Sequence, residues 1–139
     1  MRSLLPLALV LALIGSACGD DPITPTPTPT PVSPVTETFA SGLVPLGTSS
    51  RTFDAAKAGS VTITLTSSGP PTDVTLGLGV GIPTPGASAG CSLTTAVNMP
   101  PSTTPQITVQ VDAGKFCVKV FDTGTLTAQT FFSVTIVRP

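Results

Sequence analysis

Residues 61–66 read VTITLT, with an aliphatic side chain at each odd position and a threonine at each even one. Successive side chains of a β-strand point to opposite faces of a sheet. The stretch therefore predicts a strand that buries Val61, Ile63 and Leu65 and leaves its threonines in water. Four further stretches alternate in the same way and are also predicted strands: residues 74–80, 107–111, 116–120 and 132–136.

Three weaker strand candidates, residues 37–43, 51–55 and 92–97, bring the expected number of strands to seven or eight. Turn-forming glycines and prolines separate the candidates, for example at 69–71, 100–101 and 123–124. Short strands at this spacing, each with one solvent-exposed face, are typical of antiparallel sandwiches. We therefore predict an all-β fold, an antiparallel β-sandwich over residues 36–139, and no helix.

The composition argues against nucleic-acid binding. Only 9% of the 139 residues are charged, the net charge is −1, and there is no His, Trp or Tyr. Nucleic-acid binding needs clustered cationic side chains, which this chain lacks, so we expect no nucleic-acid partner.

The amino terminus has the pattern of an export signal. Residues 1–18 contain one arginine, an apolar run over residues 4–14, and three small residues directly before Cys18. The run is about half as long as a membrane-spanning helix and suits the core of a signal peptide, so residues 1–17 are predicted to be removed.

Residues 15–18, GSAC, resemble the lipobox of bacterial lipoproteins, although Gly15 stands where that family usually has Leu, Val or Ile. The resemblance implies that Cys18 is acylated and becomes the mature amino terminus, with the membrane as a partner. Gly19 implies sorting to the outer membrane, since the enteric retention signal at that position is Asp. The alternative is an ordinary secretory signal cut after Ala17.

A low-complexity stretch follows. Residues 24–34 read TPTPTPTPVSP, in which alternate prolines favour an extended polyproline II chain. Residues 18–35 are therefore predicted to be a lipidated, disordered tether, in which the proline-rich stretch alone spans roughly 30 Å. A ligand for a proline-recognising domain, or an O-glycosylated segment, is the alternative.

The predicted domain resembles bacterial pre-peptidase C-terminal domains, which accompany secreted enzymes. The likeness covers roughly residues 51–137. It lies in Phe53, Gly59 and the strand after them, and in Gly114, Phe116 and the strand ending at Val120. It implies a jelly-roll-like β-sandwich with an accessory role and carries over no catalytic or ligand residue.

Two cysteines remain after Cys18. In an oxidising compartment Cys91 and Cys117 are expected to form a disulfide, although two free buried thiols are the alternative. Cys117 alternates with Phe116 and Val118, so we expect the bridge to lie on the outer side of a strand and to reach the loop that precedes Ser92.

The residues offer little for catalysis, and we predict a protein that is not an enzyme and has no cofactor. Without histidine, a Ser or Cys nucleophile lacks its usual base, and a pairing of serine with Lys57 or Lys115 has no support. A carboxylate pair such as a glycosidase uses would have to come from residues scattered over turns and strand ends: Asp54, Asp73, Asp112 and Asp122.

Three functions follow, in order of preference. The first is a non-catalytic envelope lipoprotein that acts in protein interaction or structure, with an envelope or surface protein as partner. The second is a carbohydrate- or polymer-binding module that uses an exposed Phe39, Phe121 or Phe131. The third is a hydrolase with two convergent carboxylates.

Glycines at 77, 79 and 81 line one face of a predicted strand. They indicate that another segment packs closely against this face, or else that the face is a flat docking surface.

Overall fold

The structure is a computed structural model that describes residues 33–86 and 90–139. This part of the chain forms eight strands and no helix, and so no helix that could cross a membrane. The strands are β1 (Val35–Leu43), β2 (Thr48–Ala55), β3 (Gly59–Gly69), β4 (Leu76–Thr84), β5 (Gly90–Met99), β6 (Ile107–Val111), β7 (Gly114–Phe121) and β8 (Thr130–Arg138). All eight strand candidates are confirmed.

The strands form two antiparallel sheets of four. The first sheet has the order β1-β8-β3-β6 and the second the order β2-β7-β4-β5. The pairs 1-8, 2-7, 3-6 and 4-5 are those of one long hairpin folded over on itself, which is the topology of a jelly roll. The predicted antiparallel, jelly-roll-like sandwich is thereby confirmed.

The core lies between the two sheets and is built from alternate residues of their strands. Val61, Ile63 and Leu65 are fully buried, as their pattern predicts. Two ring pairs contribute: Phe39 meets Phe132 edge-on at 5.2 Å between centroids, and Phe53 stacks on Phe116 at 5.9 Å. Burial of these aliphatic and aromatic side chains supplies the main driving force for folding.

The structure departs from the predicted strands in three places. Val74 lies in the turn before β4, which begins two residues later, at Leu76. Cys91 belongs to β5, so its expected place in a loop was wrong. Thr64 is buried rather than in water, whereas Thr62 and Thr66 of the same strand remain accessible.

Ion pairs join the two sheets at the edge where β1 faces β2. Glu37 of β1 contacts Arg51 of β2 at 2.9 Å and Arg138 of β8 at 3.7 Å. Arg138 also donates a hydrogen bond to the backbone carbonyl of Asp54 on β2. This edge of the sandwich is therefore held by a charged network in addition to the core.

Candidate functional site

The outward side of the first sheet is a grid of small, uncharged side chains, which we call the hydroxyl face. Strand register aligns its residues in four rows across β1, β8 and β3. The rows are Thr36, Val137 and Thr62; Thr38, Thr135 and Thr64; Ala40, Ser133 and Ser67; and Gly42, Phe131 and Gly69. Thr108 and Gln110 extend the face onto β6. None of these outward positions is charged.

Phe131 is the one aromatic residue of the hydroxyl face, and its side chain is 58% exposed. It stands between two glycines, Gly42 on β1 and Gly69 on β3, so no side chain flanks it on either neighbouring strand. A Cβ atom on Gly42 would lie 3.4 Å from the ring and 2.7 Å from Nε2 of Gln129. The ring and this amide therefore both lie over the bare backbone of β1.

The other two phenylalanines considered for ligand binding pack against the protein itself. Phe39 is only 6% exposed and belongs to the core, so its assignment as a candidate binding ring was wrong. The reason is its register: it pairs with Val134, whose side chain points inward. Phe121 is half-buried because its ring covers Gly77 of β4.

The glycine stripe of β4 is closely covered, as we expected of a packed strand. A Cβ on Gly79 would lie 2.7 Å from the Leu93 side chain, and a Cβ on Gly81 would overlap the Ser92 backbone carbonyl. Together with Phe121 over Gly77, these contacts cover the whole stripe. The hypothesis of a bare docking surface on this stripe was wrong.

The predicted disulfide is present. Cys91 and Cys117 are joined at an S–S distance of 2.05 Å. Cys117 alternates with the core residues Val118 and Val120, so the bridge is on the outer side of the second sheet, as the pattern predicted.

One end of the sandwich carries a cavity of about 280 Å³. Its lining comes from the turn between β3 and β4 and from the loop between β7 and β8: Pro71, Val74, Thr75, Thr125, Leu126, Thr127 and Ala128. No charged side chain lines it, so it offers a ligand hydroxyl groups and small apolar surfaces but no acid or base.

Asp122 organises the loop beside this cavity. Its Oδ1 accepts hydrogen bonds from the backbone N–H groups of Gly124, Thr125 and Leu126, and its Oδ2 accepts one from Leu46 at 2.8 Å. The Leu46 bond is the largest cause of a lowered pKa for this carboxyl; burial opposes it, and the other three bonds add to it. Asp122 thus fixes the loop between β1 and β2 against the loop between β7 and β8.

Asp54 does not form a catalytic pair with Asp122. Asp54 lies near the start of β7, where it pairs with Lys115 at 2.8 Å, whereas Asp122 follows the end of that strand. A strand of this length separates the two by roughly 25 Å, far more than a glycosidase pair requires. In residues 33–86 and 90–139, no group of three His, Cys, Asp or Glu side chains is placed to hold a metal.

Compared with protein-family models and with curated proteins, the chain matches none. Cys18 and residues 19–32 of the predicted tether lie outside the described residues, whereas Val35, the last residue assigned to the tether, begins β1. Phe131 was a candidate from the sequence, but the hydroxyl face around it was not predicted. The regular threonines of residues 62–66 indicate part of the hydroxyl face, but strand register is needed to align them with Ser133 and Thr135.

Proposed function

We propose that this chain is a lipid-anchored protein of a bacterial envelope, in which the β-sandwich serves as a non-catalytic interaction or structural module. The observation that carries the proposal is Cys18, which follows an apolar run and three small residues at the position where lipoproteins are acylated. A single acyl chain binds a membrane reversibly, whereas two or three hold it stably. The Thr-Pro stretch would then space the sandwich from the lipid surface. Gly19 favours the outer membrane.

The character of the sandwich supports a role in binding or structure rather than in catalysis. The cavity at its end has no titratable side chain in its lining, and Asp122 beside it is occupied by four backbone N–H groups. Asp54 is paired with Lys115 on the exposed surface. These carboxylates have structural partners and are not gathered around a cleft.

The test is to fractionate the native host and measure the intact mass of the protein, with Cys18→Ala as the matched variant. We expect the wild type in the membrane fraction, with the mass of a chain beginning at Cys18 plus acyl groups. Cys18→Ala should lose the acyl mass and leave the membrane. An unacylated wild type cut after Ala17 would overturn the anchor and leave a released protein.

A second candidate function is a carbohydrate- or polymer-binding module. One observation favours it: Phe131 is exposed next to a row that carries Ser133 and Ser67, so an apolar ring and hydroxyl groups lie on one surface. The two candidates are compatible, because a tethered module can hold a polymer of the cell surface.

A further inference from the structure

We propose that the hydroxyl face binds an extended, uncharged polysaccharide, with Phe131 as the ring against which one sugar stacks. This inference rests on the non-catalytic binding role proposed above and names the ligand class and the site. It concerns the outward side of the first sheet and not the cavity at the end of the sandwich.

The distribution of charge selects a neutral ligand. The outward positions of β1, β8, β3 and β6 carry no charge. By contrast, the outward side of the second sheet carries Asp54, Lys115 and Lys119. An anionic polymer would gain nothing on the hydroxyl face, and a charged protein segment would lose hydration there without an ion pair in return. A neutral polysaccharide carries no charge that would lose hydration on this face.

The surroundings of Phe131 suit a sugar ring. Its ring leans over Gly42 on β1, and the backbone of Pro71 and Thr72 lies beside Gly69 on β3, while 58% of the Phe131 side chain remains exposed. A pyranose has an apolar C–H face and a polar rim. The Phe131 ring supplies apolar area for the face, and the amide of Gln129, which lies over the same glycine, supplies a hydrogen-bonding group for the rim.

The rows beside Phe131 favour a polymer over a single sugar. Hydroxyl groups of Ser133, Ser67, Thr135 and Thr38 continue the face along the strands, away from the ring. Alternate residues of a strand are about 6.6 Å apart and neighbouring strands about 4.8 Å, so the polar groups recur regularly over a flat surface. A straight glycan can meet several of them in succession.

The position of Phe131 over Gly42 also has a purely structural explanation. Phe121 covers Gly77 on the other sheet, and an aromatic ring over a glycine of the neighbouring strand stabilises a sheet by itself. Phe121 is half-buried by this packing, whereas Phe131 remains 58% exposed. Stability must therefore be measured together with binding.

The experiment is a pull-down of the purified full chain with insoluble chitin, cellulose and a β-1,3-glucan, at low and high salt. We expect at least one of the three to retain the wild type, with equal retention at both salt concentrations because no ion pair is involved. Phe131→Ala should weaken binding about 10-fold or more, as truncation of a central interface aromatic does. Ile82→Ala removes an exposed apolar side chain elsewhere and should bind as the wild type does.

A second pair of variants tests the face if Phe131→Ala unfolds. Ala40→Lys places a cation in the row next to Phe131, and Thr52→Lys places one on the outward side of the second sheet. We expect loss of retention only for Ala40→Lys, with melting temperatures near that of the wild type for both.

The proposal is overturned if none of the three glycans retains the protein, if Ala40→Lys binds as the wild type does, or if high salt releases the protein. Membrane fractionation is independent of these results, so failure of the glycan site would leave the proposed anchor standing.

Discussion

Cys91 and Cys117 lie 5.8 Å apart between Cα atoms, although β4 stands between their strands in the sheet order. Two strands separated by a third are ordinarily about 9–10 Å apart. Gly81 explains the short distance, because the Ser92 carbonyl occupies the space that a side chain at position 81 would need. β5 therefore passes over bare backbone of β4, and Cys91 reaches Cys117 on β7.

Removal of this bridge should cost a large part of the stability of the domain. The cysteines are 26 residues apart in the sequence. Closing such a loop restricts the unfolded chain, so Cys91→Ala with Cys117→Ala should lower the free energy of unfolding by about 3–4 kcal/mol. Urea denaturation measures the loss, and the reduced wild type is the control, which should match the double variant. A loss under about 1 kcal/mol would mean that the unfolded chain is already restricted without the bridge.

Gly81→Ala should be destabilising for the same geometrical reason. Its Cβ would meet backbone atoms of Ser92 and Leu93, which cannot move without shifting β5. We expect a loss of about 3 kcal/mol, at the upper end of the range for overpacking. Gly42→Ala is the matched control, because the nearest atom there is the end of the flexible Gln129 side chain. That variant should lie within about 0.5 kcal/mol of the wild type in urea denaturation. Equal losses for the two would contradict the assigned close approach.

The strands show how far the sequence alone determines this fold. β6, Ile107–Val111, falls within its predicted alternation, which is regular and continued one residue further, to Asp112. The start of β5 was missed because Gly90 and Cys91 have no alternation of their own. They belong to the strand through pairing with Thr84 and Pro83, a long hairpin contact that local pattern does not encode.

The candidate site was predictable only in part, since the inward or outward direction of an aromatic side chain depends on register. Phe39 and Phe131 both stand in strands, yet only Phe131 points outward. β1 and β8 pair so that Phe39 faces Val134 in the core and Phe131 faces Gly42. The hydrophobic residues of the partner strand decide this register, and residues 37–43 have too few of them to show it.

Glu37 should contribute more to stability than the exposed acid Asp54. Glu37 is 23% exposed and contacts both Arg51 and Arg138 across the sandwich edge, whereas the partners Asp54 and Lys115 are 65% and 70% exposed. We expect Glu37→Gln to lower the free energy of unfolding by about 1 kcal/mol and Asp54→Asn by about 0.3 kcal/mol or less, because exposed pairs are screened by water. Urea denaturation of both variants tests this, and an equal effect would show that the edge network adds nothing.

Asp122 should make the stability of the domain depend on pH in the acidic range. The backbone N–H of Leu46, followed by those of Leu126, Thr125 and Gly124, holds the pKa of its carboxyl below the ordinary value. An unfolded aspartate titrates near about 3.9. The contribution of the charged form is therefore complete above that pH and is lost as the pH falls through the lower, folded pKa.

Asp122→Asn tests this dependence, because an amide nitrogen in place of Oδ2 cannot accept the Leu46 hydrogen bond. We expect the variant to melt at a lower temperature than the wild type at pH 7, and the gap to narrow as the pH falls below about 4. Thermal unfolding followed from pH 7 to pH 2 measures the gap. Asp73→Asn, in the exposed turn after β3 with a φ of 62° that Asn also adopts, controls for the loss of one negative charge. A gap that stays constant down to pH 2 would mean that the Asp122 charge does not hold the two loops together.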